Sequence, residues 1–217
     1  MGNDEESMVE NGRVELAFAI NEKHRQVAAY MDLPVQVGWS YFFKARMFDL
    51  LKEHDSVVVA YTNSIVYFKK SKDVRGEGFS VGNLAAKYYD LENYKKALEY
   101  YNKSYLLKIK IKTTDSSDFY KGLAIACHGM GDCYYTLYQY DSALISYTKA
   151  TVFYNKANSV DAKSRSLSAY KYIAKILKKQ GKYPEAFKAY EAQQFKYKQL
   201  GDQKNVSETY DDLADAL

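Results

Sequence analysis

Proline, cysteine and tryptophan are scarce: two, two and one in 217 residues. So little proline leaves long stretches free to run as helix, since each proline removes a backbone donor and crowds the preceding turn. The two cysteines, Cys127 and Cys133, are six positions apart on one expected helix and fall on different faces, so they cannot pair with each other. They read as small buried apolar side chains. With no disulfide framework, the compartment points weakly to the cytoplasm. No run of about 18 apolar residues occurs, which argues against a membrane span. The start, MGNDEESM, is acidic and has no apolar segment, so no secretory signal is visible. Glu6 stands where a myristoylation motif wants Ser or Thr. The net charge of +4 is too small to argue for nucleic acid. It is unevenly spread: residues 1–30 carry six acids (Asp4, Glu5, Glu6, Glu10, Glu15, Glu22) and three bases (Arg13, Lys23, Arg25).

Motifs of catalysis are missing too. His24, His54 and His128 stand far apart, and none has a cysteine or second histidine at ligand spacing, so zinc is unsupported. Gly76-Glu77-Gly78 has no strand before it, and no phosphate loop or nucleophile elbow occurs. No pair of carboxylates stands out from a solvated helix surface. The sequence predicts a non-enzyme without metal or cofactor.

What the chain has instead is tyrosine, 23 of them, at regular places. Tyr94, Ala97 and Tyr101 stand at offsets 0, 3 and 7, which is one stripe of a helix. The stripe recurs as Tyr140, Ala143, Tyr147, as Tyr183, Ala186, Tyr190, and more weakly as His54, Val57, Tyr61. The central residues 57, 97, 143 and 186 are separated by 40, 46 and 43 positions, a period that marks a repeat array. Twelve positions before each central residue stands another small one: Ala45, Ala85, Gly131 and Ala174, with Ala214 as a fifth. Each repeat is therefore a pair of helices, a first and a second, with a small residue where they cross.

The segments GMGDCYYTLYQYDSALISYTKA and YIAKILKKQGKYPEAFKAYE resemble tetratricopeptide repeats. The resemblance spans roughly residues 39–217. It departs from the family pattern in its longer period and in Lys44, where leucine would be expected. It implies an all-α fold, an α-α superhelix or solenoid of antiparallel helix pairs.

Along the chain, residues 1–34 read as an N-terminal helix or cap, with one helix over 5–30 and a turn around Pro34. Four repeats follow at 35–72, 75–112, 117–157 and 160–200. The glycines of KDVRGEG read as a linker that breaks the pattern, and TTDSS at 113–117 as a polar turn with helix-capping residues. Residues 203–217 match the first helix of a fifth repeat or a capping helix. Leu217 ends on an apolar stripe, which favours a piece of a longer protein.

In this family the first helices line a concave surface that binds an extended peptide or a helix. Register then selects Trp39, Phe42, Arg46 and Asp49 in the first repeat, and Phe79, Asn83, Ala86 and Tyr89 in the second. The third offers Ile125, His128, Asp132 and Tyr135, and the fourth Lys171, Lys175 and Lys178. Aromatics bury apolar anchors, lysine meets carboxylates, and an asparagine amide pairs with peptide backbone of any sequence. Other readings stay open: Trp39 and Phe42 as core under the N-terminal helix, the lysines as a solvated face, His128 as an ordinary surface histidine. The family's carboxylate-gripping pattern of Lys and Asn is not reproduced, since Phe42 and Arg46 stand in one repeat, and Ile125 and Gly129 in another.

The leading expectation is a non-catalytic module that binds a protein or peptide in the groove. The segment Gly82-Asn83-Leu84 leading into DLENYKKALEYYNKS, with SYFFKARMFDLL, loosely resembles the repeat domains of bacterial peptide-pheromone receptors. That implies, as an alternative, the sensing part of a transcriptional regulator or sensor kinase whose output region lies elsewhere. Self-assembly as a homodimer through the groove is a third reading. No helix-turn-helix is present to bind nucleic acid directly.

Overall fold

The computed structural model describes residues 2–111 and 116–202. The described residues form ten α-helices: α1 (Gly2–Glu10), α2 (Val14–Tyr30), α3 (Pro34–Leu50), α4 (His54–Lys70), α5 (Val74–Asp90), α6 (Tyr94–Lys110), α7 (Ser117–Thr136), α8 (Tyr140–Ala157), α9 (Val160–Lys179) and α10 (Tyr183–Leu200). The chain divides into two compact units, 1–111 and 112–217.

The first unit is built on a strict 20-residue beat. Helices α2 to α6 are each 17 residues long, or about 25 Å. Three residues join each to the next, and the middle one is left-handed: Asp32 (φ 49°), Lys52 (60°), Lys72 (59°) and Glu92 (58°). The turn closes by two backbone bonds. At the α3–α4 corner, Lys52 N–H donates to Asp49 C=O and Glu53 N–H to Phe48 C=O, each at 3.0 Å, which is a Schellman cap. The same pair of bonds recurs after α2, α4 and α5. So the long repeat is extended helix rather than extended loop. Such short turns force neighbouring helices antiparallel, and α3 packs on α4, α4 on α5, and α5 on α6.

The small residues mark the crossings. Ala45, Val57, Ala85 and Ala97 are all fully buried. Phe42, Tyr61, Ile65, Val81, Leu84 and Leu107 complete the core, with Trp39, Phe43 and Tyr88 against its edge. Two serines one repeat apart stitch second helices to first ones: Ser64 Oγ donates to Gly38 C=O at 2.8 Å, and Ser104 Oγ to Gly78 C=O at 3.1 Å.

Three expectations change. Residues 5–30 are two helices, α1 and α2, because Gly12 takes φ +77° and breaks them apart. Pro34 opens α3 instead of lying in a turn, since a first-turn proline loses no helical bond. The glycines of KDVRGEG sit inside α5. Gly76 is there for space: a Cβ would stand 2.4 Å from the buried Phe68 ring.

The second unit repeats the design less strictly. α7 packs on α8, α8 on α9, and α9 on α10. Its core holds Ala143, Tyr147, Ala174, Ala186 and Tyr190. Gly131 faces the Tyr147 ring, where a Cβ would lie 2.7 Å away. Cys127 and Cys133 are buried free thiols, and burial raises the Cys127 thiol to about 11. The expected helix at 203–217 and most of the TTDSS turn lie outside the described residues; Ser116, its fourth residue, caps α7 by accepting from Phe119 N–H at 3.2 Å.

Candidate binding faces on the first helices

In the first unit, the first helices α3 and α5 present an aromatic wall. The Trp39 ring lies 6.0 Å from Phe43 and 6.2 Å from Phe79, centroid to centroid. Its edges meet Phe42 at 5.4 Å and Phe68 at 5.1 Å, so one side of the indole is held by the core. Phe79 remains 39% exposed. One turn on, Asn83 is exposed, and its Nδ2 donates to Phe79 C=O at 2.9 Å. An Asn held this way keeps a second N–H and its carbonyl for a ligand. Tyr89 meets Tyr94 edge-on at 5.3 Å.

Phe42 is not on this face. It is 7% exposed and packs edge-on to Tyr61 at 5.6 Å. Apolar spacing could not distinguish it from its neighbour Phe43, which is the half-buried member of the wall. Arg46 is exposed, but Glu6 on α1 holds it at 2.7 Å. Burial raises the Glu6 carboxyl, and the Arg46 charge partly opposes that rise. Asp49 is tied to the buried Lys87. Arg46 and Asp49 are thus matched internally, while the aromatics of the wall and Asn83 stay open to a ligand.

In the second unit the expected residues meet partners that the sequence did not name. His128 lies between Tyr154, whose hydroxyl is 3.3 Å from Nδ1, and Ser168, whose hydroxyl is 2.8 Å from Nε2. Asp132 accepts from Tyr147 OH at 2.7 Å and stands 3.7 Å from His128 Nε2. Burial pushes the imidazole below its ordinary value and the Asp132 carboxyl above it; each charge only partly offsets the shift of the other. Tyr135 packs edge-on to Tyr172 at 4.8 Å, and Tyr172 stacks on Tyr147 at 5.3 Å. Lys175 reaches over the Tyr172 ring at 6.0 Å. Ser168, Tyr172 and Lys179 form the stripe of α9 that meets α7 residues and Tyr140. Lys171 and Lys178 stand on its other flank, about 100° of helical rotation from Tyr172 and Lys179 respectively. The register that selected Lys171, Lys175 and Lys178 therefore skipped Ser168 and Tyr172, which stand four positions apart on the neighbouring stripe.

Ser168 and His128 have the separation of a nucleophile and its base, but the rest of such a site is missing among the described residues. The far imidazole nitrogen faces a tyrosine hydroxyl rather than a carboxylate. Ser168 sits in mid-helix, where the nearby backbone N–H groups are taken by the helix and none is left to receive an oxyanion. No group of three or more His, Cys, Asp or Glu that would hold a metal occurs among the described residues, and no described helix is long and apolar enough to cross a membrane.

No family model matches the sequence, and no curated protein matches it. Solved structures do. The apo form of RapI superposes with a TM-score of 0.74 at 16% identity, covering 93% of this chain and 71% of that one. Aspartyl phosphate phosphatase F from Bacillus subtilis gives 0.75 at 15% identity, covering 95% of this chain and 52% of that one. A Rap protein complexed with competence and sporulation factor gives 0.65 at 16% identity, covering 98% of this chain and 62% of that one. The chain thus spans about half to seven-tenths of these proteins. At such identities the likeness speaks for architecture alone: the chain has the all-α, tetratricopeptide-like solenoid fold of antiparallel helix pairs.

Proposed function

We propose that the chain is a non-catalytic binding module that takes an extended peptide or protein segment on the faces of its first helices. The observation that carries this reading is the wall of Trp39, Phe43 and Phe79 beside the exposed amide of Asn83. Phe79 is exposed to a degree that core packing does not require. An extended segment would lay an apolar side chain on the aromatics and pair its backbone with the Asn83 amide. In the second unit, His128, Asp132 and Tyr135 form a pre-tied polar wall, and Lys171, Lys175 and Lys178 offer cations beside it. Tyr89 would extend the first face.

A narrower reading is a sensing domain for a short signalling peptide within a bacterial regulator. It is favoured by the likeness to Rap proteins, one of them complexed with competence and sporulation factor. The phosphatase named among the similar structures keeps that activity to itself.

The test uses Trp39, the single tryptophan, as its own reporter. A library of random nonapeptides is panned on the full chain, and the tightest clone is titrated against Trp39 emission. The reading predicts a saturable emission change, and a loss of about tenfold in affinity for Asn83→Ala with the melting temperature unmoved. A library that yields no binder, or a binder indifferent to Asn83→Ala and silent at Trp39, removes this face as the site.

A further inference from the structure

Several cations of the first unit are matched to acids. Arg25 pairs with Glu22, Arg46 with Glu6, and Lys87 with Asp49. Lys69 and Lys103 share Glu77 at 4.0 and 3.7 Å, and Lys70 stands 3.7 Å from Asp32. Arg75 and Lys108 have no acidic partner among the described residues. Both converge on one ring: Lys108 Nζ lies 5.0 Å from the Phe79 centroid and Arg75 Cζ 5.8 Å from it. Arg75 stands one turn before Phe79 on α5, while Lys108 comes from α6. The stem of Lys108 reaches the ring past Gly78, where a Cβ would lie 3.9 Å from its Cγ.

Two like charges at one half-exposed aromatic are an arrangement with a cost. Burial, and then the Arg75 charge, lower the Lys108 pKa below the usual lysine value. The face of a phenyl ring offsets part of that through its quadrupole, but no formal negative charge is supplied. A carboxylate arriving over Phe79 would be attracted by both cations and would relieve their mutual repulsion. An apolar side chain next to it would have Trp39 and Phe43 within the same wall.

We infer that the peptide this face accepts is acidic, with an Asp or Glu side chain seated between Arg75 and Lys108 beside an apolar residue on the Trp39 wall. The inference rests on the proposed peptide-binding reading and adds the chemistry of the ligand to it.

The experiment uses the full chain and three pools of nonapeptides, acetylated and amidated so that no terminal charge contributes. All carry one Phe or Leu; the neighbouring position is Asp or Glu in the first pool, Asn or Gln in the second, and Lys in the third. Binding is read by Trp39 emission and by the rise in melting temperature. The acidic pool is expected to bind about tenfold more tightly than the neutral one, and more weakly as salt rises from about 50 to 500 mM. Arg75→Gln and Lys108→Gln should each lose about tenfold for the acidic pool and leave the neutral pool unchanged, while Lys108→Arg keeps most of the affinity. Acidic and neutral pools that bind equally, a preference for the Lys pool, or variants that weaken both pools alike would overturn the acidic assignment alone. Acetate that displaces the acidic pool at millimolar concentration would overturn it too, in favour of a free anion. Failure of all three pools would count against the peptide reading beneath it.

Discussion

Replacing Gly76 by alanine places a methyl group against the ring of Phe68, and the structure says how badly it fits. The new Cβ would stand 2.4 Å from Cδ1 and Cε1 and 2.7 Å from Cζ. Carbon atoms rest at about 3.5–4.0 Å, so the ring must retreat by roughly 1 Å or more. It has little room to do so. Phe68 is fully buried, its other neighbour Gly38 would bring a Cβ to 2.9 Å, and Trp39 packs on it at 5.1 Å. Overpacking of this kind costs about 1–3 kcal/mol. Alanine returns up to about 1 kcal/mol of helix propensity. The net expectation is a loss of about 1–2 kcal/mol, read by urea unfolding followed at Trp39, which lies in the same cluster. The control changes the sign. Phe68→Ala alone should cost about 3–5 kcal/mol, but in that background the methyl of Gly76→Ala has space and should stabilise by up to about 1 kcal/mol. If Gly76→Ala stabilised the parent protein, the close approach of α4 and α5 at this point would be refuted.

The remaining predictions concern turns, buried polar groups and pH. Lys52→Gly should stabilise by about 1 kcal/mol in urea unfolding, because Lys52 sits at φ 60° where only glycine is unstrained. Ser64→Ala should destabilise by about 1–2 kcal/mol, since it also strips Ser80 Oγ, 2.8 Å away, of its buried partner. Asp49→Ala should cost more than Lys87→Met, because only the former strands a buried cation without its counter-charge. His128 has a folded pKa below its ordinary 6.5, so the unfolded chain binds a proton that the folded chain refuses. Stability should therefore fall as pH drops from about 7 through the window below 6.5, and His128→Gln should flatten that fall. Asp132, with its carboxyl shifted upward, acts in the opposite sense above its ordinary 3.8.

The repeat was legible because it is a matter of spacing. Small residues at 45, 57, 85 and 97 fall 40 apart in pairs since each 17-residue helix and its three-residue turn take 20 positions. Glycine was less legible because it serves two ends. Gly12 is a turn with φ +77°, whereas Gly76 is a gap for a ring inside a helix, and both look like breakers in a sequence. Periodicity also leaves an uncertainty of one residue at the edge of a stripe. That is why Phe42 was expected on the open face that Phe43 occupies. Contacts between different helices carry no local signal at all. The Glu6–Arg46 pair, the Ser168–His128 bond and the convergence of Lys108 on Phe79 all join residues 29 to 40 positions apart.

Amide hydrogen exchange on the full chain, with and without the tightest acidic nonapeptide, tests the central claim most directly. The account predicts added protection concentrated in residues 36–50 of α3 and 75–90 of α5, with α2 and α4 little changed. Protection confined to the second helices α4 and α6, or spread evenly over the first unit, would contradict a binding face built on Trp39, Phe43, Phe79 and Asn83.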